Sequence, residues 1–336
     1  MKKNIINFKA FRVEEIKGDF KSSIKKVSIS SIEPNEIIVK VHYSSLNYKD
    51  ALSSIGNKGV TKKYPHTPGI DAVGIIVQSK TESFKVGDKV IVTGFDLGMN
   101  TNGGFGQYIK VPGEWALRLP INMTMKESVV IGTAGLTAGI CVSKLTKLIT
   151  PKDGKVVVSG ATGGVGSLAI YILNKLGYTV VAITGKVSET EYLKKLGASE
   201  ILMRNEIENY KNKPLLKSKF AGAIDTLGGV ILQNIIKSTS HYGAITCCGN
   251  VASPNLELTV FPFILKGVSL IGIDSQNYPI KYRIEIWNKF AEEWKIDHEL
   301  IAYSEINLDQ LQDKISLLLS GKSKGRTIVN LDNKLP

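Results

Sequence analysis

Three glycines stand where a phosphate could be held. Gly160, Gly163 and Gly166 lie in "VVVSGATGGVGSLAIYIL", Val156 to Leu173, where an apolar strand runs into a glycine-rich turn and then an apolar helix. Taken from Ala161 the run reads A-x-G-x-x-G, a variant of the dinucleotide fingerprint with alanine in the first place. Residues this small let the backbone approach a pyrophosphate, whose charge then meets the N-terminus of the helix. The strand before the turn and the helix after it supply the context that an isolated glycine run lacks.

A site for NAD usually ends its second strand in Asp or Glu, about 20 residues past the glycines, to accept from the ribose 2′-hydroxyl. Here that strand runs out as "VVAITGKVSETEY", with Thr184, Gly185 and Lys186 in the acid's place. An acid would repel a 2′-phosphate, whereas Lys186 attracts one and Thr184 can donate to it. NADPH is therefore the expected cofactor. Arg204, in "ILMRNE" after the third strand, is a candidate to close the same pocket, with a solvated surface arginine as the plain alternative.

These groups need a frame, and 336 residues are enough for two domains. From about residue 28 to 115 short β-rich runs alternate with Gly, Pro and Asp, among them "EIIVKVHYSS", "DAVGIIV", "DKVIVTGF" and "FGQYIKVP", which suggests a small, strongly bent sheet. Met125 to Ile149 reads as helical segments. From residue 155 strands and helices alternate: "KVVVSG", a helix Val165 to Leu176, "TVVAIT", a helix Ser188 to Leu196, "EILM", "GAIDTL", a helix near Ile231 to Lys237, "GAITCCG" and "VSLIGIDS". Such alternation is the sequence form of a parallel, doubly wound sheet. An amphipathic segment, Tyr282 to Trp294, follows, and "GRTIVNL" reads as a strand returning to the first domain. No repeat of 20 to 50 residues is visible.

Composition narrows the function classes. An apolar share of 43% with 22% charged residues suits a soluble enzyme, and no run of about 18 apolar residues suggests a membrane span. The N-terminus "MKKNIINFKAFRVEEIKGDF" lacks the apolar core of a secretory signal, so a cytoplasmic location is expected. Cys141, Cys247 and Cys248 offer neither a disulfide framework nor a CxxC zinc spacing. The net charge of +13 is spread over scattered lysines with no aromatic-interleaved basic block, so no nucleic-acid partner is expected.

With these residues in hand, the chain resembles a medium-chain dehydrogenase/reductase of the zinc-independent, quinone oxidoreductase-like branch, and within it the acrylyl-coenzyme A reductase (YhdH and AcuI type) proteins. The matches include "SSLNYKDAL", "PGIDAVGIIV", "GGFGQYIKVP", "SGATGGVGS", "AITGK", "YLKKLGAS", "PFILKGVSLIGIDS" and "GRTIVN". The resemblance implies an α/β fold in which an N-terminal GroES-like β-rich domain, residues 1–120 plus 280–336, carries an inserted Rossmann NADP-binding domain, residues 121–279, with the cleft between them as the site. Zinc enzymes of that fold carry Gly-His-Glu where this chain has Gly69, Ile70 and Asp71, and His42, His66, His241 and His298 stand far apart, so no metal is expected.

Without a metal Lewis acid, the remaining chemistry is hydride transfer to a carbon made electrophilic by conjugation, followed by stabilisation of an enolate. The resemblance puts Tyr48 at the nicotinamide half of NADP with Asn47 beside it, both as catalytic candidates, a buried tyrosine with a satisfied hydroxyl being the plain alternative for Tyr48. Asp50 reads as a helix cap. The resemblance also brings Thr162, Gly163, Gly164 and Val165 to the pyrophosphate, Asn250, Ile264 and Ser275 to the nicotinamide side, and Lys322 to the cofactor rim. Asn250 departs from the apolar residue expected there.

The expected activity is NADPH-dependent reduction of activated C=C bonds, of 2-enoyl thioesters such as acrylyl-coenzyme A. An NADPH:quinone oxidoreductase, or a non-catalytic NADPH- or nucleic-acid-binding protein on the same scaffold, are the alternatives. A homodimer is expected through "VSLIGIDS", an apolar edge-strand candidate. Lys58, Lys62 and Lys63, with Lys322, Lys324 and Arg326, are candidates to hold the phosphates of coenzyme A, against ordinary solvated loop lysines.

Overall fold

A computed structural model describes residues 5–209, 213–297 and 299–332. His298, one of the four histidines weighed above, lies outside the described residues.

The chain opens with a hairpin, β1 (Ile6–Ile16) and β2 (Asp19–Ile29), paired in full antiparallel register. Lys17 and Gly18 both have positive φ, as a two-residue turn matched to strand twist requires. The β-rich stretch expected from about residue 28 thus begins some twenty residues earlier. There follow β3 (Glu36–Leu46), α1 (Tyr48–Ser54), β4 (Asp71–Ser79), β5 (Lys89–Thr93), β6 (Tyr108–Pro112) and β7 (Ala116–Arg118), then α2 (Met125–Leu145).

Next come β8 (Val156–Val158), α3 (Gly164–Lys175), β9 (Val180–Thr184), α4 (Thr190–Lys195), β10 (Ala198–Met203), α5 (Arg204–Glu208), β11 (Phe220–Asp225), α6 (Gly229–Ser238), β12 (Thr239–Cys247), α7 (Phe261–Lys266) and β13 (Ser269–Gly272). The return consists of α8 (Ile280–Ala291), β14 (Tyr303–Ile306), α9 (Leu311–Leu319) and β15 (Arg326–Asn330).

Two compact units result. One comprises the chain up to Thr133, Gln276–Ile296 and the residues from Ala302 on; the other comprises Ala134–Ser275 with Asp297–Ile301. The first unit therefore runs on past residue 120, taking in the opening turns of α2.

In the first unit β14, β15, β3, β4, β5 and β7 lie side by side, and β6 pairs with β3. "GRTIVNL" returns to this sheet: Thr327 to Asn330 run antiparallel to Tyr43 to Leu46. Val13, Val39, Val92, Phe105 and Val329 are among its core residues. In the second unit the order is β10-β9-β8-β11-β12-β13, all parallel, which is the doubly wound dinucleotide-binding order. Its central strands are buried along their whole length, as a parallel sheet covered on both faces demands.

Helix α2 is long and apolar enough by length and composition to cross a bilayer, yet 83% of that window is buried inside the fold, so here it serves as a core helix. It is broken at Gly132, whose φ of 50° and ψ of −156° are not helical.

Candidate functional site

The nucleotide half is built at the C-terminal edge of the parallel sheet. After β8 the backbone turns at Gly160 with φ +60°, and a Cβ there would meet Thr226 Oγ1 at 2.2 Å. Gly163 flanks α3 at the N-cap position and donates from its N–H to Gly160 O at 2.9 Å. A Cβ on Gly166 would sit 2.4 Å from the same carbonyl, so helix and strand approach closely only because this residue is glycine. The first-turn N–H groups of a helix lack partners within it, and in α3 they begin with Gly164 and Val165, directly after the turn residues Thr162 and Gly163. Thr162 is buried, Gly163 exposed, and Gly164 and Val165 half-buried. This backbone cradle fits a pyrophosphate.

The end of β9 lies next to it. Thr184 is buried, and its Oγ1 accepts from Lys186 N at 3.0 Å, which leaves the hydroxyl proton to donate elsewhere. Arg204, the first residue of α5, is exposed and packs over Gly185, its Cζ 3.7 Å from the place of a Cβ there. Thr184, Gly185, Lys186 and Arg204 thus converge on one strand end with two cations among them and no acid, a set that fits a 2′-phosphate.

Asn250 follows β12 at the same edge and is exposed; its Cα lies 3.4 Å from where Gly228, just past β11, would carry a Cβ. Ser275 follows β13, and its Oγ accepts from Thr137 Oγ1 at 2.8 Å. Ile264 is not brought to them. It is 67% exposed on α7, two residues before Lys266, whose ammonium donates to Leu216 O, Lys237 O and Thr239 O at the opposite, N-terminal edge of the sheet. In this chain Ile264 thus stands on an exposed face of α7, apart from Asn250 and Ser275.

In the first unit Tyr48 opens α1, half-buried. Its neighbour Asn47 occupies the N-cap position but turns its side chain away from the helix. Nδ2 donates to Asp71 Oδ2 at 2.8 Å, and Oδ1 accepts from Arg326 Nη1 at 3.1 Å. Both ends of the amide are thus tied to the Asp71 and Arg326 side chains, with Ser45 O a further acceptor for Nδ2 at 3.3 Å.

Asp71 is fully buried and also accepts from Ser45 Oγ at 2.5 Å, Thr133 N at 2.9 Å and Thr133 Oγ1 at 2.6 Å. Arg326 is 3% exposed, with Nη2 3.8 Å from Asp71 Oδ2, and it donates further to Val130 O and Ser45 Oγ. Burial pushes its guanidinium pKa down, against the pull of Asp71 and Asp50. Arg326 is therefore removed from the group of coenzyme A contacts. Lys58 is tied to Glu15 at 2.5 Å, whereas Lys62, Lys63, Lys322 and Lys324 are exposed. The Asp71–Arg326 pair was not recognisable beforehand: each residue opens a strand, and only the pairing of β4 and β15 with the two sides of β3 brings them together.

Asp50 does support α1, as expected: Oδ2 accepts from Asn47 N at 2.8 Å, while Oδ1 accepts from Gly69 N and Ile70 N. Burial, with the Asp71 charge adding to it, pushes its pKa from 3.8 up to about 7 against these hydrogen bonds. A raised folded-state value means a stabilising contribution present below the unfolded value and lost as pH rises through the folded one. Relative to an Asp50→Asn variant, the wild type is expected to lose about 2 to 3 kcal/mol of unfolding free energy between pH 5 and pH 8. Urea titrations of both proteins at the two pH values measure this, and a pH-independent difference would contradict it.

Among the described residues no three His, Cys, Asp or Glu side chains gather as a metal site. His42 pairs with Asp332 at 2.6 Å, His66 is buried beside β1, and His241 is exposed on β12. The three cysteines are free thiols.

A bent GroES-like sheet joined to a Rossmann sheet with a glycine turn is the architecture of a nucleotide-dependent medium-chain dehydrogenase/reductase. The alcohol dehydrogenase GroES-like domain family matches residues 33–121, and the zinc-binding dehydrogenase family matches residues 164–293. The acrylyl-CoA reductase AcuI of Ruegeria pomeroyi is 36% identical over 95% of this chain and 97% of its own. The yhdH oxidoreductase of Salmonella enterica, solved in complex with NADP, superposes with a TM-score of 0.92 at 37% identity, over 96% of this chain and all of that one. Bacillus subtilis yhfP, solved with NAD bound, gives a TM-score of 0.93 at 38% identity, over 97% of this chain and all of that one. The chain belongs to the medium-chain dehydrogenase/reductase family, in the branch that holds the acrylyl-CoA reductases and the quinone oxidoreductase-like yhfP, and is an oxidoreductase.

Proposed function

We propose that this protein is an NADPH-dependent reductase of 2-enoyl thioesters such as acrylyl-coenzyme A. The observation that carries the cofactor half is the strand end where Lys186 and Arg204 flank Gly185 in place of an acid. When bound, NADPH supplies the hydride for the β-carbon of the conjugated double bond. The chain's part is positional: the α3 turn holds the pyrophosphate, Lys186, Arg204 and Thr184 hold the 2′-phosphate, and Tyr48 meets the nicotinamide half. Asn250, Ser275 and Lys322 complete the cofactor's surroundings in this reading. The family's AcuI member supports the thioester substrate.

The kinship with yhfP, which is named as a quinone oxidoreductase, favours a quinone as the second reading. NADPH oxidation assayed in parallel against acrylyl-coenzyme A, crotonyl-coenzyme A and a naphthoquinone separates the two. Coenzyme A carries several phosphate charges, so KM for acrylyl-coenzyme A is expected to rise with ionic strength while KM for a neutral enone stays flat. Replacing exposed Lys62 and Lys63 together by alanine should reproduce that selective loss, with a rise of about fivefold. Identical salt responses for the two substrates would move the reading to the quinone.

The same reading includes a homodimer. Strand β13 is the outer strand of the second sheet, with Ser269, Leu270 and Gly272 exposed, and α7 beside it exposes Phe261, Ile264 and Leu265. Two-fold pairing of β13 would cover both features. Light scattering at micromolar concentration is expected to give twice the monomer mass, and Leu270→Lys to halve it.

A further inference from the structure

An asparagine at an N-cap ordinarily accepts from the N–H groups of its own first turn. Asn47 does not: its side chain makes no cap bond, and both of its ends go to a buried ion pair contributed by two other strands. The pair does not require Asn47, because Asp71 already accepts from Ser45 and Thr133. The helix does not require the pair either, because Asp50 holds the Asn47 N–H. What the linkage adds is a fixed rotation and height for the first residue of α1, which is Tyr48.

The same carboxylate fixes a second element. Thr133, the last residue of the first unit's opening segment, donates to Asp71 from both N and Oγ1, just after the break at Gly132. That break is closed over the pair: a Cβ on Gly132 would meet Asp71 Oδ2 at 2.7 Å and Arg326 Nη2 at 2.8 Å.

We propose that the buried Asp71–Arg326 pair, acting through Asn47, is the positioning element that sets Tyr48 against the reacting end of the cofactor. Asp71, Arg326 and Asn47 are positioning residues and touch no substrate. The proposal rests on the reading that Tyr48 meets the nicotinamide.

Asn47→Ser keeps an ordinary N-cap and leaves the ion pair intact while cutting both ties to it. This variant is expected to remain folded and to lose kcat by about 10- to 100-fold, the scale of a misplacement near 1 Å. Its dissociation constant for NADPH, set by the phosphates, should change less than about threefold, while the nicotinamide fluorescence of the bound cofactor shifts. Arg326→Lys keeps the charge but lacks the planar fork that reaches Asn47, Ser45 and Val130 together, and should show the same split. If all act along one line, the double variant is no slower than the worse single one. Should Arg326→Lys fail to fold, Asn47→Ser decides alone. Unchanged kcat and emission in Asn47→Ser, or additive losses in the double variant, overturn the proposal. Tyr48→Ala keeps the two failures apart: a loss there with none in Asn47→Ser overturns the positioning role only, whereas full activity in Tyr48→Ala overturns the reading of Tyr48 and the proposal with it.

Discussion

Replacing Arg326 by methionine is expected to lower the unfolding free energy of the first unit by about 3 to 5 kcal/mol, the cost of leaving a buried charge without its partner. Asp71 would keep its donors Ser45, Asn47 and Thr133 but lose the only cation close enough to pair with it among the described residues. The guanidinium also satisfies Val130 O at the break in α2, so that carbonyl would be left to seek water. For a unit of this size the loss corresponds to a fall of roughly 10 °C in its melting transition. Pairing the change with Asp71→Asn removes the unpaired charge while keeping the carbonyl acceptor, and should recover a large share of the stability. Scanning calorimetry on the single and double variants measures both effects; a single variant that melts with the wild type would show that the pair contributes nothing net.

The second large effect concerns the choice of cofactor. NADPH is expected to bind more tightly than NADH by about 2 to 3 kcal/mol, or roughly 30- to 150-fold, the scale of charge-assisted bonds to one phosphate. Lys186→Glu removes one such bond and adds repulsion, and it should shrink the ratio to near one or reverse it. Arg204→Ala should have the smaller effect, since Arg204 is exposed at the surface of α5 and its contribution is screened by solvent. Because yhfP was solved with NAD bound, the comparison within this branch is informative. Titration of wild type and variants with both nucleotides checks the ranking, and equal affinities in the wild type would remove the charge argument altogether.

Local patterns carried the nucleotide half of the site. A turn needs its glycines next to one another in sequence, so A-x-G-x-x-G with a strand before and a helix after specified the cradle of Gly160, Gly163 and Gly166 without any tertiary contact. The strand end at Thr184–Lys186 was legible for the same reason, and alternation of strand and helix from residue 155 led directly to the six-stranded parallel sheet. The N-terminal hairpin lies outside the expected β-rich stretch although its signal is present: β2 alternates half-buried and exposed residues directly after the Lys17–Gly18 turn.

The first unit's half of the site could not be read this way. Asn47, Asp71 and Arg326 lie 24 and 255 residues apart along the chain and become neighbours only because β15, the last strand, is laid beside β3 while β4 pairs on its other side. In sequence, Arg326 stood among exposed lysines and read as one more surface cation, and Asn47 stood beside Tyr48 and read as a catalytic donor. Ile264 was carried by a motif that says nothing about which edge of the sheet α7 occupies. Chemistry confined to one turn is set by residue type and spacing, because a few consecutive backbone dihedrals determine where its groups point. A buried charge pair is set by strand order, which arises from the burial of the whole sheet, and the spacing of residues along the chain does not encode it.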